Sequence, residues 1–478
     1  MPAAAARDGL AAGPTRPGKL KVGSVSATTI RLSWAPSHSS ARVTGYRVYV
    51  NGALRASVHS RSFRVGRLRC GTRYALAVSA YDSGGRASPS RYRTVRTSGC
   101  AAGPGRRAPQ CTKTTSASLV GAIHGAATGT TICLSSGSYS AVALRSVSKS
   151  ADVTVRPAPG ANVTIGKVEL QVVRHLRFTG LGGTMSVDGA EVDPSNTRPN
   201  CSSHLAFDHL RFTRGVDIFP RCANMAILVD HDNLNNLLNT GAGDGRLNVQ
   251  AVDEGPKADQ GITISNSTFN GGCSKGIQIL GGAYGVQVLN NEFAYLPDQD
   301  ACNSTTGVHI GGVQIYGGTH THLKGNYFHD NGSSAGGLSM PLDDPQVIEN
   351  NVWVCTCIYP WSIQAGASHN STFAHNTFAG GGGLHFYAVN GLVAAGNVIR
   401  NNVFTDPSNG ITDSSGAHWG TNDHNLNAGV TGPGNLRGRP VFVGGKKPKS
   451  YQGYRLARGS RGRGAASDGG DLGIRARR

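Results

Sequence analysis

The sequence predicts an all-β protein in two dissimilar parts, a small N-terminal β-sandwich followed by a long solenoid of stacked strands. Two observations carry this. A phrase of Asn, a variable residue and an aromatic recurs at Asn291-Glu292-Phe293, Asn326-Tyr327-Phe328, Asn351-Val352-Trp353, Asn376-Thr377-Phe378 and Asn402-Val403-Phe404, the later steps being 25, 25 and 26 residues. Ahead of it, in the first hundred residues, short alternating runs are separated by turn residues.

A unit of that length with short apolar runs between Gly and Asn cannot bury its apolar side alone, so it must stack on its neighbours. Runs such as Val286-Gln287-Val288-Leu289 and Val313-Gln314-Ile315-Tyr316 alternate with period two and carry β-branched residues, which disfavours a helical solenoid. Equivalent residues of successive turns then lie about 4.8 Å apart, and the Asn positions form a ladder at the bends.

On these residues the chain resembles the right-handed parallel β-helix superfamily, which includes pectate lyases, polygalacturonases and many secreted polysaccharide lyases. The resemblance covers about residues 111–436, with degenerate phrases at Leu176-Arg177-Phe178, Leu210-Arg211-Phe212 and Ser267-Thr268-Phe269. It is to an architecture. The diagnostic motifs of pectate lyases and polygalacturonases have no convincing copy. Val229-Asp230-His231 resembles a pectate lyase phrase, but Phe207-Asp208-His209 has the same form, as a recurrent bend sequence would.

In the N-terminal part, Ile30-Arg31-Leu32-Ser33-Trp34, Gly45 to Gly52 (with an Asn51-Gly52 hairpin turn), Leu68 to Tyr74 and Ala75 to Asp82 have the spacing of a β-sandwich. They resemble a fibronectin type III domain over residues 16–100. Trp34 matches that family's core Trp of strand B, and Leu68, Gly71, Thr72 and Tyr74 match its tyrosine-corner phrase.

Residues 101–110, made of Ala, Gly, Pro, Arg and Gln, read as a linker. Residues 1–15 read as a disordered N-terminal segment. They lack the apolar run of a secretion signal, so the chain is expected to begin after a removed signal or within a longer precursor. The ten cysteines fall as sequence neighbours, Cys70 and Cys100, Cys111 and Cys133, Cys201 and Cys222, Cys273 and Cys302, Cys355 and Cys357, which favours disulfides and an extracellular location over a metal site. No stretch is long and apolar enough to span a bilayer.

The formal charge of +20 is unevenly distributed. Residues 1–100 hold 17 Lys and Arg against two acids and residues 437–478 hold 12 against two, whereas residues 111–436 hold 16 against 23. Basic flanks suit an anionic polymer, here a cell-surface or matrix glycan, through an attraction that salt weakens. They lack the modules and interleaved aromatics of specific nucleic-acid binding. A monomer is the expected state.

Chemistry is expected on the outward face of one stacked strand. Aligning the turns gives an outward column of Asp217, Gln278, Gln314, Ser339, Gln364 and His385, flanked by Phe219, Tyr316 and Tyr387, with Arg221, Lys275 and His309 at the edge. Amides and rings along a groove suit sugars, which offer hydroxyls to the amides and apolar faces to the rings. The same residues also fit a solvated amide ladder. The resemblance, with this column, implies a secreted carbohydrate-active enzyme, first a lyase cleaving a uronate-containing polysaccharide by β-elimination. Lys275, Arg221 or His309 would serve as base and charge offset and Tyr316 as acid. If calcium takes part, Asp217, Asp253 and Glu254 would ligate it through oxygen.

The second reading is a glycoside hydrolase using paired carboxylates. Candidates are Asp244, Asp253, Glu254 and Asp259 in the departure from the repeat at 235–261, and Asp343-Asp344 beyond the column. A third is a non-catalytic adhesive solenoid. Residues 437–478 resemble the closing segment found after many parallel β-helices, covering the last turn and leaving a disordered basic remainder.

Overall fold

Alternation with period two gives each strand one apolar and one polar face, and in both halves of the chain the apolar faces meet in a continuous interior. The computed structural model describes residues 13–477 apart from 27–28, 51–52, 67, 69–72, 85, 89, 97–110, 115–118, 195–199, 238–244, 252–257, 298–309, 333–335, 342–344, 356–360 and 417–418. The chain divides into two compact units, residues 1–108 and 109–478.

In the first unit a sheet of Lys21–Val25, Ile30–Ser33 and Ser62–Val65 faces one of Ala53–Val58, Val43–Val50, Arg73–Asp82 and Arg91–Arg96, all pairs antiparallel. Trp34 is buried edge-on against Tyr46, 5.4 Å between ring centres, among Leu32, Val48, Leu76 and Val78. Leu68 and Tyr74 are buried as the fibronectin-like phrase implies. Asn51, Gly52, Cys70, Gly71, Thr72 and Cys100 lie outside the described residues.

The second unit is a parallel solenoid with three strands per turn. Among the described residues, eleven strands from Val142–Arg145 to Ile411–Asp413 form what we call the front sheet, and thirteen from Cys111–Thr114 to Gly420–Asp423 form the back sheet. The side sheet carries the aromatic phrase in two blocks, Gly137–Tyr139 to Arg211–Phe212 and Glu292–Ala294 to Val403–Phe404. Parallel bridges through Asn233 and Thr268 join the blocks. A short helix, Leu119–Gly125, packs Leu119 and Ile123 into the first turns.

The repeated phrase builds two internal ladders. Asn291, Asn326, Asn351, Asn376 and Asn402 are fully buried, and each backbone N–H donates to the side-chain oxygen of the ladder Asn one turn on, at 2.9–3.0 Å. Each side-chain N–H also donates to a back-sheet carbonyl of the preceding turn, for example Asn351 to Leu323 at 3.0 Å. The amide thus satisfies backbone groups that the bend would otherwise bury unpaired. Inside the ladder Phe269, Phe293, Phe328, Trp353, Phe378 and Phe404 stack, with ring centres 4.0–6.4 Å apart. Gly276, Gly312 and Gly337 make room for these rings, since a Cβ at any of them would fall within 2.8 Å of Phe293, Phe328 or Trp353.

Three features depart from the sequence expectations. The stretch 235–261 is not wholly outside the repeat, because Gly245–Gln250 is a regular front strand paired with Val216–Ile218 and Lys275–Leu280. The C-terminal residues 437–477 are ordered rather than trailing off, and they lie along the side sheet. There Phe442, Tyr451, Tyr454, Leu456, Leu472 and Ile474 cover Tyr327, Val352, Ala379 and Val403. The row of apolar residues on the outer side of that sheet needs this cover. Finally, the ladder site is occupied at one turn by Asp232, 2% exposed, with Oδ2 buried and without a hydrogen-bond partner.

Cys111–Cys133 and Cys201–Cys222 are disulfides, and Cys273 and Cys355 are each disulfide-bonded. Cys302 and Cys357 lie outside the described residues. No described helix is long and apolar enough to cross a membrane.

Candidate functional site

The front sheet places the polar column in strict register. Glu169, Glu191, Asp217, Asn248, Gln278, Gln314, Ser339, Gln364, His385 and Thr412 are successive partners on neighbouring strands. Each except Thr412, which is followed by Asp413, lies between two inward apolar residues, as in Ala190-Glu191-Val192, Val216-Asp217-Ile218 and Leu247-Asn248-Val249, which holds the polar side chain outward.

The column has two chemically distinct ends. Towards the N-terminal turns it is acidic. Arg145 Nη2 lies 3.4 Å from Glu169 and Lys167 Nζ 2.5 Å from Glu191. Asp217 Oδ1 accepts from Asn248 Nδ2 at 2.7 Å, and Asp217 is 4% exposed. In the middle, Gln278 Nε2 donates to Gln314 Oε1 at 2.6 Å.

Towards the C-terminal turns the face becomes aromatic. The His385 ring is stacked between Trp361 at 4.1 Å and Tyr387 at 6.0 Å, with planes within 9° of parallel. Its Nδ1 lies 2.9 Å from Thr412 Oγ1 and its Nε2 3.2 Å from Ser414 Oγ. Burial lowers its pKa against a smaller opposing pull from Asp413, so it is neutral at physiological pH. Trp361 and Tyr387 are half-buried and Tyr316 is 51% exposed.

The edge residues do not join this arrangement into one centre. Lys275 is 5% exposed, opposite Gly245, and by register level with Gly311 on the next strand. Tyr316 is five residues further along that strand, about 16 Å away at the backbone. The expected base and acid therefore stand at opposite ends of a strand. Arg221 is buried beyond the column and donates to the Asp193 carbonyl at 3.2 Å. Asp259 is a turn residue, its Oδ1 accepting from Gly261 N at 2.7 Å. His309, Asp244, Asp253, Glu254, Asp343 and Asp344 lie outside the described residues. Among the described residues no group of three or more His, Cys, Asp or Glu could hold a metal ion.

The column read from the sequence lacks Glu169, Glu191, Asn248, Trp361 and Thr412. The apolar-polar-apolar triplets around Glu191 and Asn248 carried the signal, weakened by uneven turn lengths. Trp361 lies three residues before Gln364 and had no periodic signal.

Residues 255–425 match the family described as the right handed beta helix region, and residues 15–96 match the fibronectin type III domain. The chain is a fibronectin type III domain followed by a right-handed parallel β-helix. Curated relatives are similar over the fibronectin-type segment. They include exoglucanase B of Cellulomonas fimi, 39% identical over 85 residues, covering 18% of this chain and 8% of that protein. A chitinase of Paenibacillus xylanexedens is 37% identical over 93 residues, 19% of this chain and 18% of the relative. The chain spans less than a fifth of the length of these relatives. Among solved structures, a chitinase from Bacillus thuringiensis aligns at 25% identity and a TM-score of 0.17, over 18% of this chain and 13% of that one.

Proposed function

We propose that this is a secreted carbohydrate-active enzyme that lays a polysaccharide along the front sheet and cleaves it by hydrolysis. The observation that carries the reading is the unbroken outward column from Glu169 to Thr412, acidic at one end and aromatic at the other. Trp361 and Tyr387 offer ring surfaces for sugar faces, and Gln278, Gln314 and Gln364 offer donors and acceptors for hydroxyls. The company kept by the fibronectin-type segment, in chitinases and an exoglucanase, supports the substrate class.

Of the two cleavage chemistries, hydrolysis fits the positions better. Glu191 and Asp217 are register partners one rung, about 4.8 Å, apart, close to the spacing that a retaining pair of carboxylates requires. The Asn248 amide, donating to Asp217 Oδ1 at 2.7 Å, fixes the orientation of that carboxylate. Glu191, the more exposed of the two, would protonate the leaving oxygen after releasing Lys167. Elimination through Lys275 and Tyr316 would need both at one sugar bond, and the strand separates them.

The test uses Glu191→Gln, Asp217→Asn, Lys275→Ala and Tyr316→Phe on a panel of neutral and uronate polysaccharides, with and without Ca²⁺ because Asp217 is also the described member of the expected calcium set. Release of reducing ends should fall at least about a hundredfold in the two carboxylate variants and stay within about threefold in the other two. The opposite pattern would return the chemistry to elimination.

A further inference from the structure

At the C-terminal end of the solenoid a cavity of about 830 Å³ is lined by Thr405, Ser408, Thr431, Arg437 and Arg439, among other residues, none of them acidic. Arg461 lies against the lining residue Gly438. A Cβ on Gly438, whose φ is +141°, would lie 3.2 Å from Arg461 Cγ, so that side chain crosses the backbone between Arg437 and Arg439. Three exposed arginines, Arg437, Arg439 and Arg461, thus meet at Gly438 on one rim. None of the three forms an ion pair among the described residues, and residues 424–467 contain no Asp or Glu. The acids that flank this stretch are paired elsewhere, Asp423 with Arg400 at 3.1 Å and Asp468 with Arg475, and Asp406 is committed to a capping turn, where it accepts from Ser408 N at 2.9 Å and Asn409 Nδ2 at 3.3 Å.

The rim is held by folded structure rather than by a loose tail. Val443 N donates to Arg455 O and Ala457 N to Val441 O, both at 2.8 Å, closing a hairpin whose Phe442 and Leu456 are buried on the side sheet. Its turn carries Lys446, Lys447 and Lys449, all exposed. Clustered like charges without partners cost stability through self-repulsion, and an anionic ligand relieves that cost.

We propose that this cleft and rim form a second binding site, separate from the front sheet, for an acidic glycan carrying carboxylate or sulfate groups. Guanidinium forks recognise such groups bidentately. Thr405, Ser408 and Thr431 supply hydroxyl partners for sugar hydroxyls. A nucleic acid fits less well, because Phe442, Tyr451 and Tyr454 are all buried against the solenoid, leaving the segment no ring on which a base could stack. Such a site would anchor the enzyme on an acidic matrix while the front sheet works on its substrate.

The test is calorimetric titration of the full chain with a heparin-derived hexasaccharide, a galacturonate hexasaccharide, a neutral hexasaccharide and a short single-stranded DNA over a salt series. Arg437→Ala/Arg439→Ala/Arg461→Ala should weaken acidic hexasaccharide binding at least about tenfold and flatten its salt dependence. A charge-matched control on the solenoid, Arg174→Ala/Arg211→Ala/Arg214→Ala, should leave binding within about twofold. Should the first triple variant lose its thermal transition, Arg439→Glu alone reads the same site. Equal losses in both triple variants, no loss in the first, or DNA bound as tightly as the glycans would overturn the proposal. Glu191→Gln should still bind the acidic hexasaccharides, so this site can stand if the cleavage reading falls, and the reverse holds too.

Discussion

Asn351→Ala should lower the free energy of unfolding by about 4 kcal/mol. Asn351 is fully buried in the middle of the ladder, and its Oδ1 accepts from both the backbone N–H and the side-chain amide of Asn326, each at 2.9 Å. Its own Nδ2 donates to the Leu323 carbonyl at 3.0 Å. Alanine removes all of these at once and leaves two donors and an acceptor buried, each worth about 1–3 kcal/mol when unsatisfied. The stacked ring of Trp353 two residues on keeps the bend closed to water. Denaturant unfolding of the oxidised protein measures the effect. A loss below about 1 kcal/mol would mean that the neighbouring turns re-pair these groups and that the ladder is not what fixes the bend.

Asp232→Asn should act in the opposite direction, stabilising by about 2 kcal/mol at pH 7 and by little near pH 4. In the register of the ladder Asp232 occupies the Asn position, with Oδ1 accepting from Leu210 N at 2.7 Å. Its Oδ2 has no partner where the ladder amide would reach the Phe207 carbonyl of the preceding turn. Burial, reinforced by the nearby charges of Asp208 and Asp230, holds its carboxyl well above the usual carboxylate range. The folded state therefore keeps a proton that the unfolded chain releases above about pH 4, so the stability tied to this group is present in acid and lost as pH rises through the folded pKa. Asparagine supplies the missing donor and does not titrate. Melting both proteins between pH 4 and pH 8 checks it, since a gain that did not grow with pH would contradict the assignment.

The front column was legible because a polar residue between two apolar ones can only face outward from a parallel strand, and Asp217, Gln278, Gln314, Ser339, Gln364 and His385 all obey that rule. The same rule gives the face of a residue without giving its place along the strand, which is why Lys275 and Tyr316 could be grouped although five positions separate them. Trp361 escaped because its stacking on His385 is a contact between turns with no period in the sequence. The seat of the C-terminal segment escaped for a related reason. Tyr451, Tyr454, Leu472 and Ile474 are irregularly spaced in a basic, glycine-rich stretch, and only the apolar row they cover explains their burial.

The bond broken, and how it is broken, distinguishes hydrolysis from elimination on the front sheet. Wild-type protein would be incubated with the polysaccharide panel while new reducing ends and the ultraviolet absorbance of an unsaturated uronate are followed in the same sample. Hydrolysis at Glu191 and Asp217 predicts reducing ends with no such absorbance. A parallel rise of both signals on a uronate polymer would contradict it and make elimination the reaction of this front sheet.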